Sequence, residues 1–336
     1  MIVGLKNAIL HILDANSGVN VYSDETLDIE DAEINTFITK HIEKIHEAEI
    51  LRPAEFKESS GFKGMLSMYK SQSISFIELS KTIASRMENA VKSTEEPKSC
   101  DCIVAEYSCD EDSFIAVLKC DNKVGITHNV VQANGTVMNK IINHYAILPS
   151  VSQRIAESAF IRMSDFEVRY ASKKYKVEGE TTDLFADLIL ECEFGYSTRE
   201  CANSVKRIVR KVAIENGADT VDAMARMKEY VTEHIKNNEF DYVDTNAVAE
   251  KVFAGRPSVK EEFVGRMEKA GVPQMVEVNK YITKKMTANV KLSTDIGVEL
   301  SFPPEYYKNP DYIEIITNED GTISIKINNI TELTDR

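Results

Sequence analysis

The hydrophobic period changes between segments of this chain, and that change constrains the fold more than any other feature. Apolar residues recur every three to four positions over residues 28–45, 73–91 and 198–269, which predicts amphipathic helices. They alternate with a period of two over residues 101–131 and 288–330, which predicts strands. Helices and strands in separate blocks indicate an α+β fold in which antiparallel sheets and helices are segregated.

The pattern and the length of 336 residues predict two domains. Residues 1–195 are expected to form a mixed α+β domain that contains a hairpin, two helices and an antiparallel meander. Residues 196–336 are expected to form a mainly helical region that ends in a small antiparallel sheet. The hairpin is placed at residues 2–13 and 18–23, because a turn rich in Asn, Ser and Gly joins these two apolar runs.

Individual elements follow from the same patterns. Asp28 is expected to cap the first helix, residues 49–64 to form a loop, and residues 73–91 to form the second helix. A further helical stretch is expected over residues 182–191. Strands are expected at Ile103–Tyr107, Ser113–Leu118, Val124–Val131, Ala159–Arg162, Phe166–Tyr170, Val290–Ser293, Gly297–Phe302, Ile313–Thr317 and Ile323–Ile327.

The charge balance limits the partners of the chain. There are 40 basic and 54 acidic residues, so a formal net charge of −14 repels phosphate backbones and anionic lipid surfaces. Any contact with nucleic acid must therefore be local. The apolar N-terminal segment is interrupted by polar residues and lacks a cleavage site, and no window reaches the ~18 apolar residues needed to span a bilayer. The expected location is the cytosol, with no membrane partner.

Motifs for common cofactors and catalytic centres are absent from the sequence. It contains no phosphate-binding Gly-rich loop, dinucleotide fingerprint, zinc-protease motif or nucleophile elbow, so no cofactor is expected. Cys100, Cys102, Cys109 and Cys120 could form a thiolate cluster, but they lack a second Cys-x-x-Cys pair. His41 and His46 do not share a helix face. We expect reduced thiols and no structural metal. The six cysteines are Cys100, Cys102, Cys109, Cys120, Cys192 and Cys201.

One acidic motif leaves an enzymatic alternative open. Glu55-Phe-Lys57 is the Glu-x-Lys half of a metal-dependent nuclease core, in which carboxylates hold Mg²⁺ and the lysine stabilises the attacking hydroxide. The motif falls in the expected loop beside Pro53 rather than on a strand. We therefore expect no enzyme activity, with a metal-dependent nuclease as the third hypothesis.

Basic residues are unevenly placed in this acidic chain and form three clusters. Local clusters of this kind are the footprint of phosphate contact, and the alternative is that they are solvated faces paired with surplus carboxylates. One cluster occupies a single face of a predicted helix, opposite an apolar arc. The candidate DNA-binding residues are Lys206, Arg207, Arg210 and Lys211; Lys280, Lys284, Lys285 and Lys291; and Arg169, Lys173 and Lys174.

Several sequence blocks, in order along the chain, resemble the bacterial nucleoid-associated protein family of the YejK/NdpA type. Each is a packing motif, and the resemblance comes from their combination over nearly the whole chain. The blocks are Asn7–Leu13, Ile74–Arg86, Cys102–Leu118, Ile147-Leu-Pro149 with Glu157–Ile161, and Phe302–Glu314 followed by Asp320–Ile327.

The resemblance implies a cytoplasmic bacterial protein at the nucleoid that binds DNA and, in some members, contacts the DNA topology machinery. It implies no catalytic motif and gives no binding residues to transfer, so the candidates above rest on charge placement alone. The leading hypothesis is non-specific, non-enzymatic DNA binding, which the acidity of the chain would weaken. The alternative is an adaptor that a protein partner recruits to the nucleoid. The sequence leaves a homodimer open.

Overall fold

A computed structural model describes residues 2–15, 17–46, 48–133, 136–237, 242–278 and 280–332. The chain divides into two compact units, unit 1 (residues 1–195) and unit 2 (residues 196–336). Helices and antiparallel strands make up similar shares of the structure, which confirms the α+β class.

Unit 1 is built around an eight-stranded sheet. The strands of this unit are β1 (Val3–Leu13), β2 (Asn20–Val21), β3 (Arg52–Phe56), β4 (Cys100–Cys109), β5 (Asp112–Asp121), β6 (Lys123–Ala133), β7 (Thr136–Ile147), β8 (Glu157–Arg162), β9 (Val168–Ala171), β10 (Lys174–Val177), β11 (Glu180–Asp183) and β12 (Cys192–Phe194). The sheet has the order β12-β3-β9-β8-β5-β4-β1-β2, and neighbouring strands in it are antiparallel. Strands β6 and β7 form a separate ribbon, and β10 and β11 form a hairpin.

Helices cover both faces of this sheet. They are α1 (Ala32–His46), α2 (Gly61–Lys70), α3 (Phe76–Lys92) and a π-helix (Leu184–Leu190). Helix α1 packs on one face, where Ile38, Ile42 and Ile45 contact a core that includes Tyr107 and Phe160. Helices α2, α3 and the π-helix pack on the other face. All six cysteines of the chain are buried free thiols, and burial raises the pKa of Cys100, Cys120 and Cys192 to about 12.

Three sequence expectations for unit 1 were wrong. The expected loop at 49–64 contains β3 and the start of α2, because Pro53 and two helical glycines mask a short strand and an amphipathic helix. Asp31 rather than Asp28 caps α1, since its Oδ1 accepts hydrogen bonds from the backbone N–H groups of residues 33 and 34. The segment at 124–131 does not extend the meander, because it pairs with β7 instead.

Unit 2 has a helical core and two small hairpins. The helices are α4 (Thr198–Glu215), α5 (Thr220–Asn237), α6 (Thr245–Val252), α7 (Pro257–Lys269) and α8 (Lys280–Met286), with a 3₁₀ turn at Pro304–Tyr306. The strands are β13 (Tyr242–Asp244), β14 (Met275–Glu277), β15 (Val290–Ser293), β16 (Glu299–Phe302), β17 (Ile313–Thr317) and β18 (Ile323–Ile327). The predicted C-terminal strands are present, as two separate hairpins, β15–β16 and β17–β18.

A buried histidine joins β1 to α3. His11 Nδ1 accepts a hydrogen bond from the backbone N–H of Ser23 at 3.1 Å, so Nε2 carries the proton and donates to Ser80 Oγ at 3.0 Å. The Ser80 hydroxyl then donates to the Ile77 carbonyl. Burial, helped by the charge of Lys81, lowers the pKa of His11 to about 4.

This histidine is expected to make the fold sensitive to acid. Between pH 6.5 and 4 the unfolded chain binds a proton at His11 that the folded chain excludes, so stability is lost as the pH falls through this window. The pKa difference corresponds to about 3 kcal/mol. The variant His11→Gln should be less stable than the wild type at pH 7 but lose less stability on going to pH 4.5. Urea denaturation at both pH values measures this.

The exposed His128 provides the control. Because the side chain is exposed, His128→Gln should leave the stability at pH 7 within about 0.5 kcal/mol of the wild type. An equal loss of stability with acid in wild type and His11→Gln would contradict the assignment.

Candidate nucleic-acid interface

Helix α4 presents most of the first basic cluster to solvent. Ser197 and Glu200 form a capping box that fixes where the helix begins. Its apolar arc, which includes Val205, Val209 and Val212, is buried in the core of unit 2. The opposite arc exposes Arg207, Arg210 and Lys211 and leaves Lys206 half-buried.

Two of the three sequence clusters meet in unit 2. The ammonium group of Lys206 donates to the carbonyl oxygen of Lys285 at 2.8 Å, which joins α4 to the last turn of α8. The ammonium group of Lys228, on α5, donates to the Asn289 carbonyl oxygen at 2.8 Å, just before β15. Because a helix end leaves carbonyl oxygens without intrahelical partners, the bond to Lys285 also stabilises the end of α8.

The surroundings of the two half-buried lysines, Lys206 and Lys228, lower the pKa of each. Burial is the main reason that the pKa of each lies below the ordinary lysine value. Neighbouring positive charges lower the pKa of both lysines further, in keeping with the two hydrogen bonds that bring Lys206 to Lys285 and Lys228 to Asn289. The charges acting on Lys206 are those of Lys228, Lys285 and Arg210, and those acting on Lys228 are Arg210 and Lys291. We define the basic patch as Lys206, Arg210, Lys228, Lys285 and Lys291.

Carboxylates of unit 2 pair with cations outside the basic patch. Glu229 and Glu233 of α5 lie 3.3 and 3.5 Å from Lys251, and Asp222 lies 2.8 Å from Arg226. Among the described residues, no carboxylate lies within 4.0 Å of any cation of the basic patch, nor of Arg207 or Lys284. The surplus acid of the chain therefore does not neutralise this surface directly.

An exposed aromatic ring lies beside the basic patch. The Nζ atom of Lys285 is 4.6 Å from the centre of the Tyr281 ring, and the guanidinium of Arg199 is 5.4 Å from it. Lys284 is exposed on the same helix. Lys280 begins α8, and its side chain lies outside the described part of the structure.

The third cluster lies in unit 1 and is partly paired with carboxylates. Arg169 Nε is 3.0 Å from Glu167, and Lys173 Nζ is 2.8 Å from Asp121. Lys174 is exposed on β10. The structure thus joins Lys206 and Arg210 of the α4 cluster to Lys285 and Lys291. Lys211 of the same helix lies 3.9 Å from Glu215, and Arg169 and Lys173 also contact acidic neighbours. Sequence reasoning missed Lys228, because a single lysine among the acids of α5 gives no signal.

Glu55 of the Glu-x-Lys motif lies on a strand, contrary to the expectation of a loop, and Lys57 directly follows that strand. Glu55 is on β3 and faces Glu193 of β12 across the ladder. Both line an open cleft of about 720 Å³, together with Lys63, Asp165 and Glu167. Within the described residues, no group of three or more His, Cys, Asp or Glu side chains is arranged to hold a metal ion.

The basic patch offers ammonium and guanidinium donors, which are the groups that bind phosphate oxygens. Among helices in the described ranges, none is both long and apolar enough to cross a membrane. Comparison with curated proteins gives no match. The model of the family described as nucleoid-associated protein YejK matches residues 9–334, nearly the whole chain, and the chain therefore belongs to this family.

Proposed function

We propose that this chain is a non-enzymatic DNA-binding protein of the bacterial nucleoid that contacts the phosphate backbone through the basic patch. The observation that carries the proposal is that hydrogen bonds bring Lys206 of α4 to Lys285 of α8 and Lys228 of α5 to Asn289, two residues before Lys291, in a protein of net charge −14. Family membership supports the nucleoid location, in the cytoplasm.

The electrostatics predict how this binding would behave. Positive charges held close together create a positive local potential. DNA phosphates that bind there neutralise these charges, and the DNA releases condensed counterions at the same time. The net charge of the whole chain opposes the approach of DNA, so binding should be weak and strongly dependent on salt. Phosphate contacts position a protein without reading bases, so binding should also be non-specific.

A direct binding experiment tests the proposal. Purified protein is titrated into two fluorescent duplexes of equal length and unrelated sequence, at about 50 mM and about 200 mM salt. Similar affinity for both duplexes at low salt, and a marked loss at the higher salt, are the expected results. No binding to either duplex at low salt would contradict the proposal and favour the second candidate.

The second candidate is an adaptor that a protein partner, such as a component of the DNA topology machinery, recruits to the nucleoid. The net charge of −14 favours it, because repulsion from DNA is no obstacle to an adaptor. Its signature is association with DNA only when the partner is present.

The nuclease hypothesis rests on the strand position of Glu55 and on the carboxylate of Glu193 opposite it. Incubation with supercoiled plasmid and either Mg²⁺ or Mn²⁺ tests it. Intact plasmid is expected, and nicking that the variant Glu55→Gln abolishes would overturn the non-enzymatic proposal.

A further inference from the structure

The eight-stranded sheet of unit 1 ends in an open edge at β12. This strand is the last in the strand order and pairs only with β3 in the described structure. The backbone N–H of Gly195 donates to the Pro53 carbonyl oxygen at 2.9 Å. Because bonded and non-bonded pairs alternate in an antiparallel ladder, the N–H and C=O groups of Cys192 and Phe194 point away from β3. We call residues 192–195 the β12 edge.

An edge of this kind can accept another strand. Unpaired backbone N–H and C=O groups at a sheet edge are a template for an extended segment, which adds to the sheet as a further strand. Glu193, Phe194 and Gly195 are exposed, and they line the open cleft of about 720 Å³ in unit 1. The β12 edge is therefore accessible to a partner.

Like charges meet on one face of the β12 edge. Glu193 is directly opposite Glu55 in the ladder, and carboxylates in this arrangement repel each other. Among the described residues, no cation lies within 4.0 Å of either carboxylate, although Lys63 lines the same cleft. A positive charge placed beside this pair by a partner would relieve the repulsion.

The opposite face of the β12 edge is aromatic. Successive residues of a strand point to opposite faces, so the Phe194 ring lies on the other face from Glu193. The ring is 6.0 Å from the Tyr170 ring and 5.3 Å from the Arg52 guanidinium, and 43% of the residue remains exposed. An added strand would therefore place alternate side chains beside carboxylates and beside an aromatic ring.

Charge and spacing identify the partner that fits this edge. The carboxylates of Glu55 and Glu193 attract lysine or arginine and repel an acidic segment. They also repel the phosphates of a nucleic acid, which in addition lacks the peptide groups that pair with a sheet edge. The matching partner is an extended segment in which basic residues alternate with apolar residues.

We propose that the β12 edge binds an extended basic segment of another protein by antiparallel strand addition. Its basic side chains lie beside Glu55 and Glu193, and its apolar side chains lie beside Phe194. The antiparallel direction is that of the existing pairs β12–β3 and β3–β9. The edge belongs to unit 1 and the basic patch to unit 2, so this inference goes beyond the proposed DNA binding and is tested without DNA.

A labelled peptide of the sequence Thr-Arg-Val-Arg-Val-Arg-Thr tests the proposal by fluorescence anisotropy with the full chain. Saturable binding in the micromolar range at low salt is expected, because the contact is small. In the antiparallel arrangement the backbone amides of the two Val residues face β12, since these residues lie opposite the positions whose own groups point outwards. N-methylation of both Val amides should therefore weaken binding roughly tenfold or more, and N-methylation of two Arg amides should not.

The variant Glu55→Gln/Glu193→Gln tests the charge of the site. It should bind the peptide roughly tenfold more weakly than the wild type, because two exposed ion pairs are lost. The variant Glu25→Gln/Glu30→Gln is the matched control. It makes the same change in net charge at exposed positions before α1 and should bind as the wild type does.

Three results would overturn the proposal. The first is the absence of saturable binding to the wild type at millimolar peptide. The second is a folded Glu55→Gln/Glu193→Gln variant that binds the peptide as tightly as the matched control, which would indicate attraction to net charge alone. The third is a peptide methylated at Val that binds as tightly as the unmethylated one, which would exclude antiparallel strand addition.

Discussion

Replacing Lys119 with Met is expected to destabilise unit 1 by about 3–5 kcal/mol, because it leaves a buried carboxylate without its main partner. The Lys119 ammonium lies 2.8 Å from Glu157 and also pairs with Asp121, and the side chains of Lys119 and Glu157 are only 2% and 1% exposed. Burial alone would lower the pKa of Lys119, but the nearby negative charges, with Glu157 first, raise it above the ordinary lysine value. Urea denaturation at pH 7 measures the loss.

The chain contains a natural control for this prediction. Lys173 pairs with the same two carboxylates, at 2.8 Å from Asp121 and 3.6 Å from Glu157, but its side chain is 47% exposed. Exposed ion pairs contribute little, so Lys173→Met should cost less than about 1 kcal/mol.

A second substitution separates the lost charge from the lost packing. The double variant Lys119→Met/Glu157→Gln removes both charges and keeps an acceptor for the Tyr175 hydroxyl, which donates to Glu157 at 2.7 Å. It should recover at least half of the stability lost in Lys119→Met. A double variant as unstable as the single one would show that an unpaired buried charge is not the cause.

The second large effect is expected on DNA affinity. The variant Arg207→Ala/Arg210→Ala/Lys284→Ala/Lys291→Ala removes four exposed cations from the basic patch and its flanks, and affinity at 0.1 M salt should fall roughly 100- to 1,000-fold. Exposed substitutions of this kind cost little stability. Lys206 is retained, because it is half-buried and bonded to the Lys285 carbonyl oxygen. Fluorescence anisotropy with a labelled duplex measures the affinity.

A matched variant carries the same change in net charge elsewhere. Lys98, Arg169, Lys174 and Lys176 are all exposed in unit 1, and replacing them with Ala also removes four positive charges. Its affinity should stay within about threefold of the wild type. An equal loss in both variants would indicate that net charge rather than the basic patch determines binding.

Sequence patterns predicted the structural features that depend on the spacing of apolar residues along a single helix or strand. The apolar arc of α4 determined which of its side chains are buried, so the exposure of Arg207, Arg210 and Lys211 followed from periodicity. The half-burial of Lys206 did not follow, because it depends on α8 packing over the helix. The place of Lys228 in the basic patch likewise depends on tertiary packing, which no linear pattern records.

The errors in the sheet have a related cause. Alternation of apolar and polar residues identified β6 as a strand but could not specify its partner, so the ribbon was assigned to the meander. The sequence pattern did not predict β3, because only Ala54 of its five residues is buried. Backbone pairing with β9 and β12 stabilises this strand, and no alternation of apolar residues marks it.

The dependence of DNA affinity on salt tests the central claim most directly. Plots of log Kobs against log salt concentration, for wild type and for the Arg207→Ala/Arg210→Ala/Lys284→Ala/Lys291→Ala variant, count the phosphates that each protein neutralises. The account predicts that the magnitude of the slope falls by about 3 to 4 in the variant, at about 0.9 per lost contact. An unchanged slope in a variant that is folded would contradict the assignment of the basic patch as the DNA-binding surface.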